Sequence, residues 1–161
     1  MKRTALILLV SFFTAITAGA QITENSYAIR NAFTGQVLRI KDANKANGTP
    51  IVGHAPVNWK CVTWDFKQQK DGAYRLINLF SGKTMQPAKD GKSLEEQPLN
   101  ADGKQQQYEF IKAGIDTYLI KLSGTEFYLT ASEQDDKQIL LAVKTGNILQ
   151  QWTLKEQHPT M

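Results

Sequence analysis

Tyr27-Ala28-Ile29-Arg30-Asn31 runs through Thr34-Gly35 to Trp64-Asp65-Phe66. Tyr74-Arg75-Leu76-Ile77-Asn78 runs through Ser81-Gly82 to Tyr108-Glu109-Phe110. Tyr118-Leu119-Ile120-Lys121 runs through Ser123-Gly124 to Trp152-Thr153-Leu154. The closing aromatics at 64, 108 and 152 are 44 residues apart both times, and the opening tyrosines at 27, 74 and 118 are 47 and 44 apart. Matched spacing of this kind marks a structural repeat. The units cover about 27–70, 71–114 and 115–157.

Within each unit the apolar residues alternate or cluster as β-branched and aromatic runs, with no long stretch at helical spacing. Strands are expected at 27–31, 37–40, 50–54, 62–68, 73–78, 83–86, 93–97, 107–113, 117–122, 127–132, 138–144 and 151–156. Between them lie pairs such as Thr34-Gly35, Asn47-Gly48, Asp71-Gly72, Asp90-Gly91 and Ser123-Gly124. A glycine after a small polar residue supplies the positive backbone angle of a tight turn. Four short strands cannot bury a core alone. Three such units around one axis can, and closure removes the exposed sheet edges.

Outside the repeats, 1–20 carries Lys2-Arg3, an apolar run from Ala5 to Ile16, and Ala18-Gly19-Ala20. That is the layout of a secretory signal, and it predicts a secreted or periplasmic domain over 21–161. Cleavage before Gln21 removes two basic residues and leaves 17 basic against 15 acidic, a net charge of +2. This balance excludes a strongly basic nucleic-acid binder. No second apolar run has the length of a membrane span. Cys61 is the one cysteine, so no internal disulfide can form. The expected role of Cys61 is that of a small buried hydrophobe.

Gln150-Gln151-Trp152 and Gln106-Gln107-Tyr108 end their repeats on Gln-x-aromatic, and Val62-Thr63-Trp64 keeps the aromatic alone. With Tyr-x-Ile-x-Asn, Thr-Gly, Val-Leu-x-Ile and Asn-Gly-Thr-Pro-Ile-Val in the first repeat, the chain resembles the ricin-B-type β-trefoil lectins, bacterial and fungal branch. The resemblance extends over about the whole of 21–161. It implies an all-β trefoil of three four-stranded repeats and a glycan or glycoconjugate as partner. It also implies a sugar pocket built from an Asp on the second strand, an aromatic ten residues before the closing Trp, and an Asn before the Gln-x-Trp. The chemistry is that of an acceptor-only carboxylate on sugar hydroxyls, with a flat ring against the C–H face.

Here the Asp position holds Arg39, Gln86 and Thr130, the aromatic position His54, Pro98 and Ala142, and the Asn position Cys61, Gln105 and Leu149. The third repeat offers no polar handle among Leu140, Leu141, Ala142 and Leu149. The second keeps glutamines and lacks a stacking ring. The first keeps Arg39 and His54, with Asn58 and Trp59 close by. These four are the candidate ligand-binding residues.

Arg39 is either a solvated strand residue or a planar fork for a carboxylate or acidic sugar. His54 is either structural or a hydrogen-bonding partner. Trp59, in a polar loop off the strand period, either packs over the barrel end or stacks a ligand. Trp64 and Trp152 are expected in the core. Asn47-Gly48-Thr49 matches a glycosylation acceptor and equally a turn.

No catalytic reading emerges. His158 falls in a tail expected to fray, and no His/Cys cluster has metal-ligand spacing. The sequence calls for no cofactor, and no glycine-rich phosphate loop precedes a helix. Glu95-Glu96 and Asp135-Asp136 are adjacent in sequence and read as solvated charge rather than as an acid–base pair. The expected function is a non-catalytic, lectin-like module with degenerate pockets. The alternative is a protein-interaction or inhibitor trefoil contacting a protein partner through loops 44–47 and 134–138.

Overall fold

The computed structural model describes residues 21–161; the signal segment expected at 1–20 lies outside the described residues. Twelve strands are present: β1 (Ser26–Asn31), β2 (Val37–Ile40), β3 (Ile51–His54), β4 (Trp64–Gln68), β5 (Tyr74–Asn78), β6 (Thr84–Pro87), β7 (Leu94–Gln97), β8 (Tyr108–Lys112), β9 (Tyr118–Leu122), β10 (Phe127–Thr130), β11 (Leu140–Val143) and β12 (Trp152–Glu156). All are at the expected places. The chief difference lies just before each closing aromatic, where Lys60–Val62, Lys104–Gln106 and Ile148–Gln150 each form a 3-10 turn. β4 therefore starts at Trp64 rather than at residue 62.

Six strands close a barrel. β1 pairs with β12, β12 with β9, β9 with β8, β8 with β5, β5 with β4, and β4 with β1, all antiparallel. The remaining strands form three hairpins, β2–β3, β6–β7 and β10–β11. Single bridges Pro50↔Glu95, Val52↔Gln138 and Ser93↔Leu140 join each hairpin to its neighbour across the pseudo-threefold axis. This is a β-trefoil.

The core follows from the repeat. Trp64 Nε1 donates to Leu38 O (3.1 Å) and Trp152 Nε1 to Leu129 O (3.0 Å). Tyr108, with a hydroxyl in place of the indole N–H, donates to Met85 O (3.0 Å). All three rings are buried, so the closing aromatics are structural, as expected. Each makes one hydrogen bond across its repeat, as a buried polar tip must. Phe66, Tyr74 and Phe110 pack between them, with centroids 5.2 Å apart for Phe66–Phe110 and 5.6 Å for Tyr74–Phe110. Cys61 is buried against Ala28, Val37 and Val62.

The C-terminal tail departs from expectation. Lys60 N donates to Met161 O (2.8 Å), Gln157 N donates to Ser26 O (3.1 Å), and Pro159 is buried. These bonds hold a segment whose composition alone reads as frayed. His158 itself is exposed and pairs with Glu156 at 3.0 Å.

Candidate functional site

The three repeats use the same position on the first strand of each hairpin differently. Gln106, buried at the second Gln-x-aromatic, donates through Nε2 to Gln86 Oε1 (2.9 Å) and Pro98 O (2.9 Å). Gln150, at the third, donates to Thr130 Oγ1 (3.0 Å) and Val143 O (2.9 Å). In both repeats the glutamine consumes the residue that stands where the resemblance puts a sugar-binding Asp. The first repeat has Val62 at the glutamine's place, and Val62 has no polar group to offer. Arg39, at the matching strand position, is thus left for other partners.

Those partners are His54, Asp42 and Asp136. Arg39 Nη1 lies 3.2 Å from His54 Nδ1 and 3.5 Å from Nε2. Only a neutral imidazole nitrogen can accept from a guanidinium. Asp42 Oδ1 stands 3.9 Å from Arg39 Nη2. Asp136 Oδ1 stands 3.6 Å from both Arg39 Nη1 and His54 Nδ1. The Arg39 and His54 side chains are 13% and 19% exposed, whereas Asp136 is 48% exposed. The floor is therefore fixed and the carboxylate open to solvent.

The His54 and Trp59 rings are near parallel, 27° apart with centroids at 6.4 Å, and Trp59 is 43% exposed. Trp59 therefore presents a free indole surface beside the charged cluster rather than a buried cap. Its carbonyl accepts from Thr63 Oγ1 (2.8 Å), which holds the loop in place.

Of the four residues expected here, Arg39, His54 and Trp59 come together. Asn58 does not join them. It lines a separate groove of about 510 Å³ with Arg30, Val57, Lys155 and His158, on the outer face of β1 and β12. One position also shifts. Val37 pairs with His54 and Thr84 with Gln97, so the residue matching His54 in the second repeat is Gln97. Counting back ten residues lands on Pro98, because the loop after β7 is one residue longer. Gln97 spends its amide on Glu95 Oε1 (2.8 Å).

Sequence reasoning missed Asp136 as part of this site. Its loop comes from the third repeat and reaches the first hairpin through the barrel's closure. Asp135 lies with it. One ligand atom each from His54, Asp135 and Asp136 falls within 4.8 Å of the others. Arg39 already places its positive charge against His54 and Asp136, so the guanidinium stands where a metal ion's charge would be needed. Among the described residues no helix is long and apolar enough to cross a membrane.

The family model for the ricin-type beta-trefoil lectin domain-like fold matches residues 60–142. The chain belongs to this family. No curated protein matches the sequence. Among solved structures, the designed 3-fold symmetric protein ThreeFoil is 20% identical, with 80% of this chain and 96% of that chain covered at a TM-score of 0.75. The Macrolepiota procera ricin B-like lectin in complex with lactose is 17% identical, with 85% and 99% covered at 0.67. The exo-beta-1,3-galactanase 1,3Gal43A from Clostridium thermocellum is 21% identical, with 82% of this chain but 30% of that one covered at 0.72. At these identities the likeness establishes the trefoil.

Proposed function

We propose that the chain is a secreted, non-catalytic carbohydrate-binding module that acts through the first repeat alone. One observation carries this reading. Among three pseudo-equivalent hairpins, the first alone has a half-buried polar cluster of Arg39, His54 and Asp136 set beside an exposed indole, Trp59. Sugars are recognised by this pairing of directional polar groups with a flat apolar face. The other two hairpins spend their polar side chains on Gln106 and Gln150. Family membership and the lactose-bound relative support a saccharide as ligand. Export to the periplasm or the medium rests on the signal-like segment at 1–20.

A glycan array probed with residues 21–161 tests the reading. Retention of defined glycans, lost in Trp59→Ala while the β-rich fold persists, is the expected result. A blank array from a folded protein contradicts it.

A second reading has its own observation. Phe127, Leu140 and Val143 of the third hairpin and Ile148 in the turn before β12 are all exposed, apolar surface of the kind proteins cover. Under that reading the module binds a protein partner, and free sugar fails to compete for it.

A further inference from the structure

The backbone around the three hairpins follows one register. Glu96 N donates to Thr49 O (2.7 Å), Gly53 N to Lys137 O (3.0 Å) and Leu141 N to Lys92 O (2.6 Å). The residues just before these acceptors, Gly48, Asp136 and Gly91, are therefore equivalent. All three have positive φ, at 84°, 54° and 66°. Two of the three are glycine, the residue this conformation favours; the third is an aspartate. The preceding residues, Asn47, Asp135 and Asp90, keep the same turn chemistry in all three.

An L side chain in the left-handed region is strained, and such strain concentrates at functional sites. The Asp136 side chain gains little structural return for it. Its Oδ1 stands 3.6 Å from Arg39 Nη1 and from His54 Nδ1, outside hydrogen-bonding distance, and among the described residues neither oxygen accepts a hydrogen bond. Its acceptor capacity is unspent and it faces solvent beside Arg39 and Trp59.

Resting on the lectin reading of this site, we propose that Asp136 is the ligand-binding carboxylate of the module. It is supplied by the third repeat to the first, in place of the aspartate that Arg39 displaces. It makes the site selective for uncharged saccharides with a pair of neighbouring hydroxyls. One hydroxyl donates to Asp136, which can only accept, and the other accepts from Arg39, which can only donate. Two carboxylates, Asp42 and Asp136, already stand against the single Arg39 guanidinium, and Asp135 adds a third negative charge beside them. An acidic sugar would meet net repulsion there.

The test compares residues 21–161 with Asp136→Gly, Asp136→Asn and Trp59→Ala on an array carrying neutral and uronic or sialylated glycans, with thermal unfolding of each. The expected result is wild-type retention of neutral glycans and a loss of about tenfold to a hundredfold in Asp136→Gly and Asp136→Asn. Asp136→Gly, which restores the residue of the other two repeats, should also unfold at the same or a higher temperature. Undiminished binding by Asp136→Gly, a preference for acidic glycans in the wild type, or a lowered unfolding temperature in Asp136→Gly would each overturn the assignment. A wild-type chain that binds no glycan overturns the lectin reading and this inference with it. Binding that needs Trp59 but ignores Asp136 overturns the inference alone.

Discussion

Glu96 is a buried carboxyl in the second hairpin. It is fully buried, and among the described residues neither carboxylate oxygen has a hydrogen-bond partner. Burial raises its pKa above the ordinary value, and Ser81, Lys83 and Lys45 pull the other way. A carboxyl whose folded pKa is raised opposes folding once the pH passes its unfolded value, because the unfolded chain ionises first. At the matching position the third repeat has Leu141. Glu96→Leu is therefore expected to stabilise the fold by about 1–3 kcal/mol at pH 7. The gain should shrink below the usual carboxylate range, where the wild-type side chain is protonated in both states. Chemical denaturation of both proteins at pH 7 and pH 3 measures it; an equal gain at both would contradict the account. Asp90 provides the opposite sign. Its carboxylate accepts from Lys92 N (2.8 Å), Ser93 N (2.9 Å) and Ser93 Oγ (2.9 Å), and these bonds hold its pKa below the ordinary value. Its contribution is present above the unfolded pKa and is lost as the pH falls through the folded one. Glu96 also shows what was hidden in the sequence. Glu95-Glu96 reads as solvated charge, and the burial of one member is set by loop 44–49 of another repeat. Trp64, Trp152 and Cys61 were legible, because each carries its fate in its own chemistry and spacing.

The hairpin elements were readable for a local reason. Alternation and Asx-Gly turns are short-range signals, and all twelve strands are where these signals fall. The 3-10 turns before each closing aromatic were not, since three residues carry no period. They shape the hairpins, because they bring Gln106 and Gln150 inward to take up Gln86 and Thr130. The partnership of Asp136 with Arg39 and His54 spans more than eighty residues and depends on closure. Its faint trace is the third member of the series Asn47-Gly48, Asp90-Gly91, Asp135-Asp136. The same series makes a prediction at this scale. Gly48→Ala should cost about 1–2 kcal/mol of stability, since alanine must occupy a left-handed angle there. A Cβ at Gly48 meets only Glu95 Oε2 at 3.7 Å, so the loss reports backbone conformation and not a clash. Equal stability of wild type and Gly48→Ala by urea unfolding would remove the strain argument from all three loops.

At the scale of the whole molecule the first and last strands meet. β1 and β12 pair over five residues, from Tyr27↔Glu156 to Asn31↔Trp152, and Asn31 Nδ2 donates to Leu149 O (2.9 Å) and Gln151 O (3.1 Å). Tyr74 Oη donates to Ile22 O (3.0 Å) and accepts from Ile22 N (2.8 Å), which ties the segment before β1 into the core. The barrel therefore closes only when the last strand is in place. Trp152→Ala is expected to cost about 3–5 kcal/mol and to act on all three repeats in one cooperative transition. Separate unfolding of the repeats by fluorescence and circular dichroism would contradict a single closed core. This architecture leaves three pseudo-equivalent hairpin faces, and the first alone sets a cluster of Arg39, His54 and Asp136 beside an exposed indole. The direct measurement of that claim is a nuclear magnetic resonance titration of isotope-labelled residues 21–161 with the tightest neutral glycan from the array. One site per chain is expected, with shifts confined to Arg39, His54, Trp59 and the loop around Asp136. Shifts at Gln86 and Thr130 as well, or a stoichiometry of three, would contradict it.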